Sequence, residues 1–240
     1  KTCQTTVKNN IVFNVPRAAI NLNDGFGGGN DIFNNLLFNT CTESGDHGPI
    51  NSWDRMPLMH NLNGTNTYHT LYSNVHDNFI FANYGGSQGF DTDDGSAWYN
   101  IYNNVMYNAL GYKNDYGGYN VNYHDNINIL FGGKVSTQSC WGMQGTFYNG
   151  PSNRVYNNKC IVYSTDGITS QIWYPASKKG SALYLYNNSY YTIYNNVTLK
   201  MQNESYNWNY YNITEMQNIL NKEYSSSSNP IPSIEAFHHW

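Results

Sequence analysis

One short pattern of apolar and polar positions recurs along the chain. An apolar or aromatic residue leads into a polar stretch that ends in Asn, and an apolar alternation follows. It reads Val7-Lys8-Asn9-Asn10-Ile11-Val12-Phe13, then Ile32-Phe33-Asn34-Asn35-Leu36-Leu37-Phe38. Further copies are Val75–Phe81, Ile101–Tyr107, Tyr123–Ile129, Val155–Ile161 and Ile193–Leu199. The closing Asn falls at 10, 35, 78, 104, 126, 158 and 196, with spacings of 25, 43, 26, 22, 32 and 38. Repeats of this length identify a solenoid. The shortest spacings fit one turn of a right-handed parallel β-helix with three short strands per coil, and the longer ones add a loop at a corner. The expected fold is therefore all-β, a single-stranded parallel β-helix of about seven coils. At a tight corner Asn tolerates left-handed backbone angles, and stacked on itself its amide can bond the amides above and below.

The two ends read differently. The first phrase begins almost at residue 1 with no helix before it, so the first coil is expected either to stack on another chain or to continue upstream. Near the other end, Ile213, Met216, Leu220 and Tyr224 approach helical spacing, which predicts a helix over 213–224 as a lid on the last coil. Ser225 to Pro232 reads as a linker or loose tail. The expected division is a β-helix over 1–205 and a C-terminal cap and tail over 206–240.

Composition narrows the function classes. Asn occurs 40 times and Tyr 23 times in 240 residues, and charged residues make up only 12%. Asn, Tyr and Gly are not strong helix formers, so helical bundles and coiled coils are excluded. A net charge of −4 with 12 Lys+Arg argues against nucleic-acid binding. The apolar runs are too short for membrane insertion. Starting at Lys1, the chain reads as processed or as part of a longer one. Cys3, Cys41, Cys140 and Cys160 could form two bridges or remain thiols, and the spacing of Cys140 and Cys160 suits a coil-to-coil bridge. Five sequons, at Asn63, Asn187, Asn196, Asn203 and Asn212, are N-glycosylation candidates. An extracellular or cell-surface location is expected.

Counting from each repeated Asn gives a second regularity. Asp46 and His47, then Asp91, Asp93 and Asp94, then Lys113 and Asp115, then Gln138 fall at similar offsets. Coils lie ~4.8 Å apart, so similar offsets become a stripe on one face. Asp54 and Arg55, on the loop of the 43-residue coil, could fold over it. Paired carboxylates can supply acid and base for glycoside cleavage, and a Lys or Arg beside Asp could assist proton abstraction from a uronate. The catalytic candidates are Asp46, His47, Asp54, Arg55, Asp93, Asp94, Lys113 and Asp115. Asp91, Asp93 and Asp94 could instead hold a hard cation such as Ca²⁺. Asp-Gly pairs are also ordinary turns, and opposite charges on neighbouring coils can simply pair. Gly27-Gly28-Gly29 lacks the Lys-Ser/Thr of a phosphate loop, and no zinc spacing occurs. Trp98, Trp141, Trp173 and Trp208 are candidates for sugar stacking or for the core.

Several blocks carry a family likeness: Arg17 through Asn30, Glu43 through Pro49 with Asn51 through Arg55, Asp93-Asp94-Gly95-Ser96, and Lys113 through Gly118. Over about residues 10–165 the chain resembles large secreted right-handed β-helix repeat proteins of algae and protists. More distantly it is similar to the pectate-lyase-like superfamily. The resemblance implies the fold and a secreted location, but no reaction, because the Gly-His-Gly and Arg-Ile-Lys signatures of polygalacturonases are missing. Two functions are expected to compete. One is a glycosylated structural or adhesive module assembling end to end into a fibre or coat. The other is a carbohydrate-active enzyme, a lyase, epimerase or glycoside hydrolase, acting on acidic polysaccharide along the charged stripe. Glycans are the expected partners of either.

Overall fold

The computed structural model describes residues 4–23, 28–53, 58–62, 64–69, 71–83, 88–115, 118–131, 139–144, 153–163, 168–173, 183–194, 196–202, 205, 207–218 and 225–231. Three strands make each coil. The first holds β1 (Thr6–Lys8), β2 (Ile11–Phe13) and β3 (Ile20–Asn23), and the second β4 (Asp31–Phe33), β5 (Leu36–Phe38) and β6 (Ile50–Trp53). An antiparallel hairpin of β7 (Leu58–Leu62) and β8 (Thr65–His69) follows, which accounts for the longest repeat. Next come β9 (Ser73–His76), β10 (Phe79–Phe81) and β11 (Phe90–Thr92), then β12 (Tyr99–Tyr102), β13 (Val105–Tyr107) and β14 (Tyr112–Asn114). The fifth coil is β15 (Val121–His124), β16 (Ile127–Phe131) and β17 (Trp141–Gln144). The sixth is β18 (Asn153–Tyr156), β19 (Lys159–Tyr163) and β20 (Ile168–Trp173), and the seventh β21 (Leu183–Tyr186), β22 (Ser189–Thr192) and β23 (Thr198–Gln202).

Equivalent strands of successive coils pair in parallel. Sheet A runs β1-β4-β9-β12-β15-β18-β21, sheet B begins β2-β5-β10-β13-β16-β19-β22, and sheet C runs β3-β6-β11-β14-β17-β20-β23. The molecule is the expected parallel β-helix. Strand alternation turns every second side chain inward. Val7, Ile32, Val75, Ile101, Tyr123, Val155 and Leu185 form the inner column of sheet A. Ile20, Ile50, Phe90, Tyr112 and Trp141 begin that of sheet C. The large Tyr count enters here: Tyr112 and Tyr123 stack at 4.9 Å inside the coil. Trp141 is core, its indole donating to Tyr190 Oη at 3.2 Å.

The repeated Asn-Asn divides its labour between two residues. The first member of each pair takes the left-handed angle: φ is 59° at Asn9, 53° at Asn34, 55° at Asn103 and 56° at Asn157, with Asp77 and Asp125 doing the same. The second turns inward and builds the ladder. Asn10, Asn35, Asn78, Asn104, Asn126 and Asn158 each donate from Nδ2 to Oδ1 of the next at 3.0–3.1 Å. The left-handed residue is thus the one before the ladder Asn. The last rung is also corrected: Asn158 bonds Asn188, 30 residues on, not Asn196. Asn188 sits in Leu185-Tyr186-Asn187-Asn188-Ser189-Tyr190, a copy in which Ser189 and Tyr190 stand where the first copies have Ile11-Val12 and Leu36-Leu37.

The C-terminal expectation changes as well. Helix α1 (Ile213–Asn218) forms, with Asn212 Oδ1 accepting from Glu215 N at 3.0 Å and Glu215 Oε2 accepting from Asn212 N at 2.8 Å. This capping box starts the helix, and Met216 is buried in the core as a lid residue would be. Residues 219–224 lie outside the described set. Before α1, strand β24 (Trp208–Tyr211) folds back antiparallel on β23. The segment read as a tail is instead strand β25 (Ser227–Pro230), which pairs parallel with β22 as the eighth strand of sheet B. The Asn ladder continues into this strand: Asn188 N donates to Ser226 Oγ at 2.8 Å, so a serine takes the next rung.

Cys140 and Cys160 form the expected coil-to-coil disulfide, 20 residues apart with Cα atoms 5.8 Å from each other. Cys41 is a buried free thiol. Its Sγ points to His47 O at 3.3 Å, so no second bridge forms there. Cys3 lies outside the described residues.

Candidate functional site

Outward-facing positions of sheet C carry the chemistry. Asn21, Asn51, Asp91, Lys113, Gly142, Gln171 and Lys200 are register partners on successive strands. They alternate with core residues and so face away from the core. Even so, Asn51, Asp91, Lys113, Gln171 and Lys200 are buried. This face is therefore covered, in contrast to an ordinary solvated sheet surface.

At the centre lies a two-by-two array. Sheet pairing continues for one residue past β11 and β14, since Asp93 N donates to Ser52 O at 2.8 Å and Asp115 N to Thr92 O at 2.9 Å. By alternation, Asp91 and Asp93 project from one coil on the same side as Lys113 and Asp115 from the next. Lys113 Nζ lies 3.1 Å from Asp91 Oδ2 and 2.6 Å from Asp115 Oδ2. The second oxygens, Asp91 Oδ1 and Asp115 Oδ1, are buried without a hydrogen-bond partner. Three carboxylates face one ammonium in a low-dielectric setting, and burial, more than the surplus of negative charge, decides the protonation. Burial pushes Asp91 up to about 7, against the pull of Lys113. Asp115 is pushed up to about 6, first by burial and further by Asp93, with Lys113 opposing. Lys113 is itself held charged well above its usual range, because its two carboxylate partners outweigh its own burial.

The stripe expected from the sequence is partly assembled. Arg17 and Ser44 hold the His47 ring, Arg17 Nη2 against Nε2 and Ser44 Oγ 2.8 Å from Nδ1. Burial and then Arg17 hold His47 below its usual value, while Asp46 and Asp93 pull the other way. His47 and Asp46 thus share an electrostatic neighbourhood with Asp93 and Lys113. Asp94 does not join the cluster. It adopts φ 43° before Gly95 at 84°, and its Oδ2 accepts from the Trp53 indole at 2.9 Å. Among the described residues, the group that could hold a metal ion is Asp91, Asp93 and Asp115, with oxygens within 4.8 Å of one another, so Asp115 replaces the expected Asp94. Strand alternation gives the reason: 91 and 93 share a face, and 94 begins the turn. Asp54, Arg55 and Gln138 lie outside the described residues.

Sequence reasoning missed Asn51, Gln171, Lys200 and Arg17. The first three were legible only through register, because nothing in the local sequence marks them. Gln171 is fully buried with neither side-chain polar atom paired, beside the gap that Gly142 leaves in the column. Among the glycosylation candidates, Asn187 and Asn212 are exposed and Asn196 is half-buried, while Asn63 and Asn203 fall outside the described residues. Trp98 is half-buried edge-on between Tyr72 and Tyr119, and Trp208 lies under Lys200 Nζ at 4.1 Å. The side chain of Trp173 lies outside the described set.

No helix among the described residues is long and apolar enough to cross a membrane. The chain matches no protein-family model, no curated protein and no solved structure.

Proposed function

We propose that the protein is a secreted carbohydrate-active enzyme that cleaves an acidic polysaccharide by acid–base chemistry at the Asp91–Asp93–Lys113–Asp115 array. The carrying observation is that a charge-poor chain buries two carboxylates and a lysine on the outer face of one sheet, with a third carboxylate half-buried beside them and the two buried ones raised toward neutrality. A merely structural ion pair needs one acid, not three, and perturbed titration in a covered cluster is a mark of functional sites. Asp93, the half-buried member, is the group that reaches substrate. Asp115 behind it stores the proton, and Asp91 with Lys113 fixes the array. Arg17, beside His47, supplies the positive charge that a uronate would meet. The disulfide, the exposed sequons at Asn187 and Asn212, and the resemblance to secreted β-helix repeat proteins of algae and protists support the extracellular setting. Ca²⁺, a hard ion that prefers oxygen, competes with the stored proton for the same carboxylate oxygens. Calorimetric titration with Ca²⁺ and the Asp93→Asn variant checks it.

The test is release of reducing ends from a panel of uronate-containing polysaccharides. Asp93→Asn and Asp115→Asn are each expected to lower turnover at least ~100-fold, with Asp94→Asn close to the parent. Absence of cleavage on every acidic polysaccharide, or an Asp93→Asn variant of full activity, rejects the reading.

A structural or adhesive module is the second reading, favoured by the continuous Asn ladder and by an outer ring column. Phe33, His76, Tyr102, His124, Tyr156 and Tyr186 stack at 4.7–5.2 Å with planes within 7°. Their faces are spent on one another and only edges remain, which suits a stiff rod better than a sugar platform. Ordered filaments, stacked end to end through the first coil and releasing no product, would favour this reading.

A further inference from the structure

The three sheets differ in what they turn outward. Sheet A shows Asn74, Asn100 and Asn122, which bond one another at 2.9–3.0 Å. Sheet C shows the charged column described above. Sheet B is different: from β2 to β16 its strands read Ile-Val-Phe, Leu-Leu-Phe, Phe-Ile-Phe, Val-Met-Tyr and Ile-Asn-Ile-Leu-Phe. The middle residue of each three-residue strand lines the core, so the flanking apolar residues face out. Strands apolar on both faces belong to sheets covered on both faces.

Exposure confirms that nothing in the described chain covers this one. Ile11 is 65% exposed, Phe13 50%, Phe79 42%, Tyr107 43% and Phe131 38%. No charged residue interrupts the outward positions until Lys159 on β19, followed by Ser189 on β22. The rings are ordered: Phe13, Phe38 and Phe81 stack at 5.0 and 4.9 Å with planes within 8°. With ~200 Å² for each free side chain of this size, the five stated exposures leave about 480 Å² of apolar surface in water. That lies within the ~300–600 Å² of the largest apolar patch on a typical monomer, a patch that is often functional.

We propose that the outer face of sheet B over the first five coils is the interface of a homodimer, packed sheet to sheet against the same face of a second copy. Area argues for this occupant. Two such patches, with their half-buried neighbours on β5 and β13, together bury more than the ~1,000 Å² that marks a biological interface. Chemistry argues for it too. A patch without charge has nothing to select a charged partner, whereas an apolar face is complementary to itself, as a two-fold interface requires. A polysaccharide is a poorer fit at the middle of the stack, because Phe38 has Phe13 on one face and Phe81 on the other. The described glycosylation candidates Asn187, Asn196 and Asn212 all lie beyond the fifth coil, so glycans there leave the face clear. The interface stands apart from the sheet C site and does not rest on its chemistry.

Sedimentation velocity of the full chain over a wide concentration range is the test. The parent is expected to sediment at twice its 27.4 kDa mass. Phe79→Glu and Tyr107→Glu, exposed enough to leave the core intact, are each expected to weaken association at least ~100-fold, since like charges then face each other across the two-fold axis. Circular dichroism confirms that each variant is folded. Ile11→Lys, at the most exposed position, serves should either fail to fold. Tyr184→Glu, 49% exposed on sheet A, is expected to dimerise like the parent. A parent that stays monomeric throughout, a folded Phe79→Glu chain that still dimerises like the parent, or a Tyr184→Glu chain that dissociates equally overturns the proposal.

Discussion

The corner Asn is the residue on which the fold turns, and its two neighbouring copies do different physical work. An inward amide in a dry coil is costly unless all its groups are paired. The ladder meets that condition. Asn104 Nδ2 donates to Val75 O at 2.9 Å and Asn126 Oδ1 at 3.0 Å, and its Oδ1 accepts from Asn78 N at 3.1 Å and Asn78 Nδ2 at 3.0 Å. Asn104→Ala would orphan the Asn78 N–H on the coil before and leave Asn126 Oδ1 on the coil after with only the Asn104 backbone N–H. It should cost about 3 kcal/mol, read as a fall in the urea midpoint. Asn103→Gly, at φ 55° on an exposed corner, should be near neutral or stabilising, because Gly adopts that angle freely. Equal losses at 103 and 104 would contradict this division of labour. The sequence showed that Asn pairs recur, but only the backbone shows which member carries which task.

At the level of elements, register decides what meets. Each coil is a strand trio too short to stand alone, and stacking supplies the partner. The same rule draws β25 out of an apparent tail, since β22 would otherwise leave its backbone groups unpaired. The disulfide is a second tie between coils, joining the start of β17 to β19 across 20 residues. A loop of that size accounts for about 3 kcal/mol. Replacing both cysteines by Ala should lower the melting temperature by several degrees without changing the β-rich spectrum. An unchanged melting temperature would show that neighbouring coils alone hold the junction. Cys140 and Cys160 were visible as one coil length apart, whereas the free state of Cys41 was not, because it depends on where its side chain points.

For the whole molecule, the scarcity of charge sharpens its pH dependence. Asp91 and Asp115 stand at about 7 and about 6 in the folded chain, against an unfolded value near 3.8. Their folded values are raised, so the folded state binds the extra protons. That contribution is fully present below about pH 4 and is lost as pH rises through 6 to 7. The parent should therefore have a lower urea midpoint at pH 8 than at pH 5, and Asp91→Asn should flatten that difference. Lys113 titrates far above this window and contributes no slope within it. If parent and variant changed equally between the two pH values, Asp91 would not be the group responsible.

Repeat length, strand pattern and the identity of the corner residue were all legible in order along the chain, because a solenoid is built from local periodicity and each coil contacts its neighbours at nearly constant offsets. The candidate site was legible as a stripe for the same reason, down to Asp93, Lys113 and Asp115. What the linear order could not supply was the phase of each strand. One residue of slip moves a side chain from the core to the surface, and that phase separated Asp94 from its neighbours and replaced it with Asp115. Burial was equally out of reach. The acid cluster is covered and the aromatic face of sheet B is bare, and both facts depend on which loops cross which face in three dimensions.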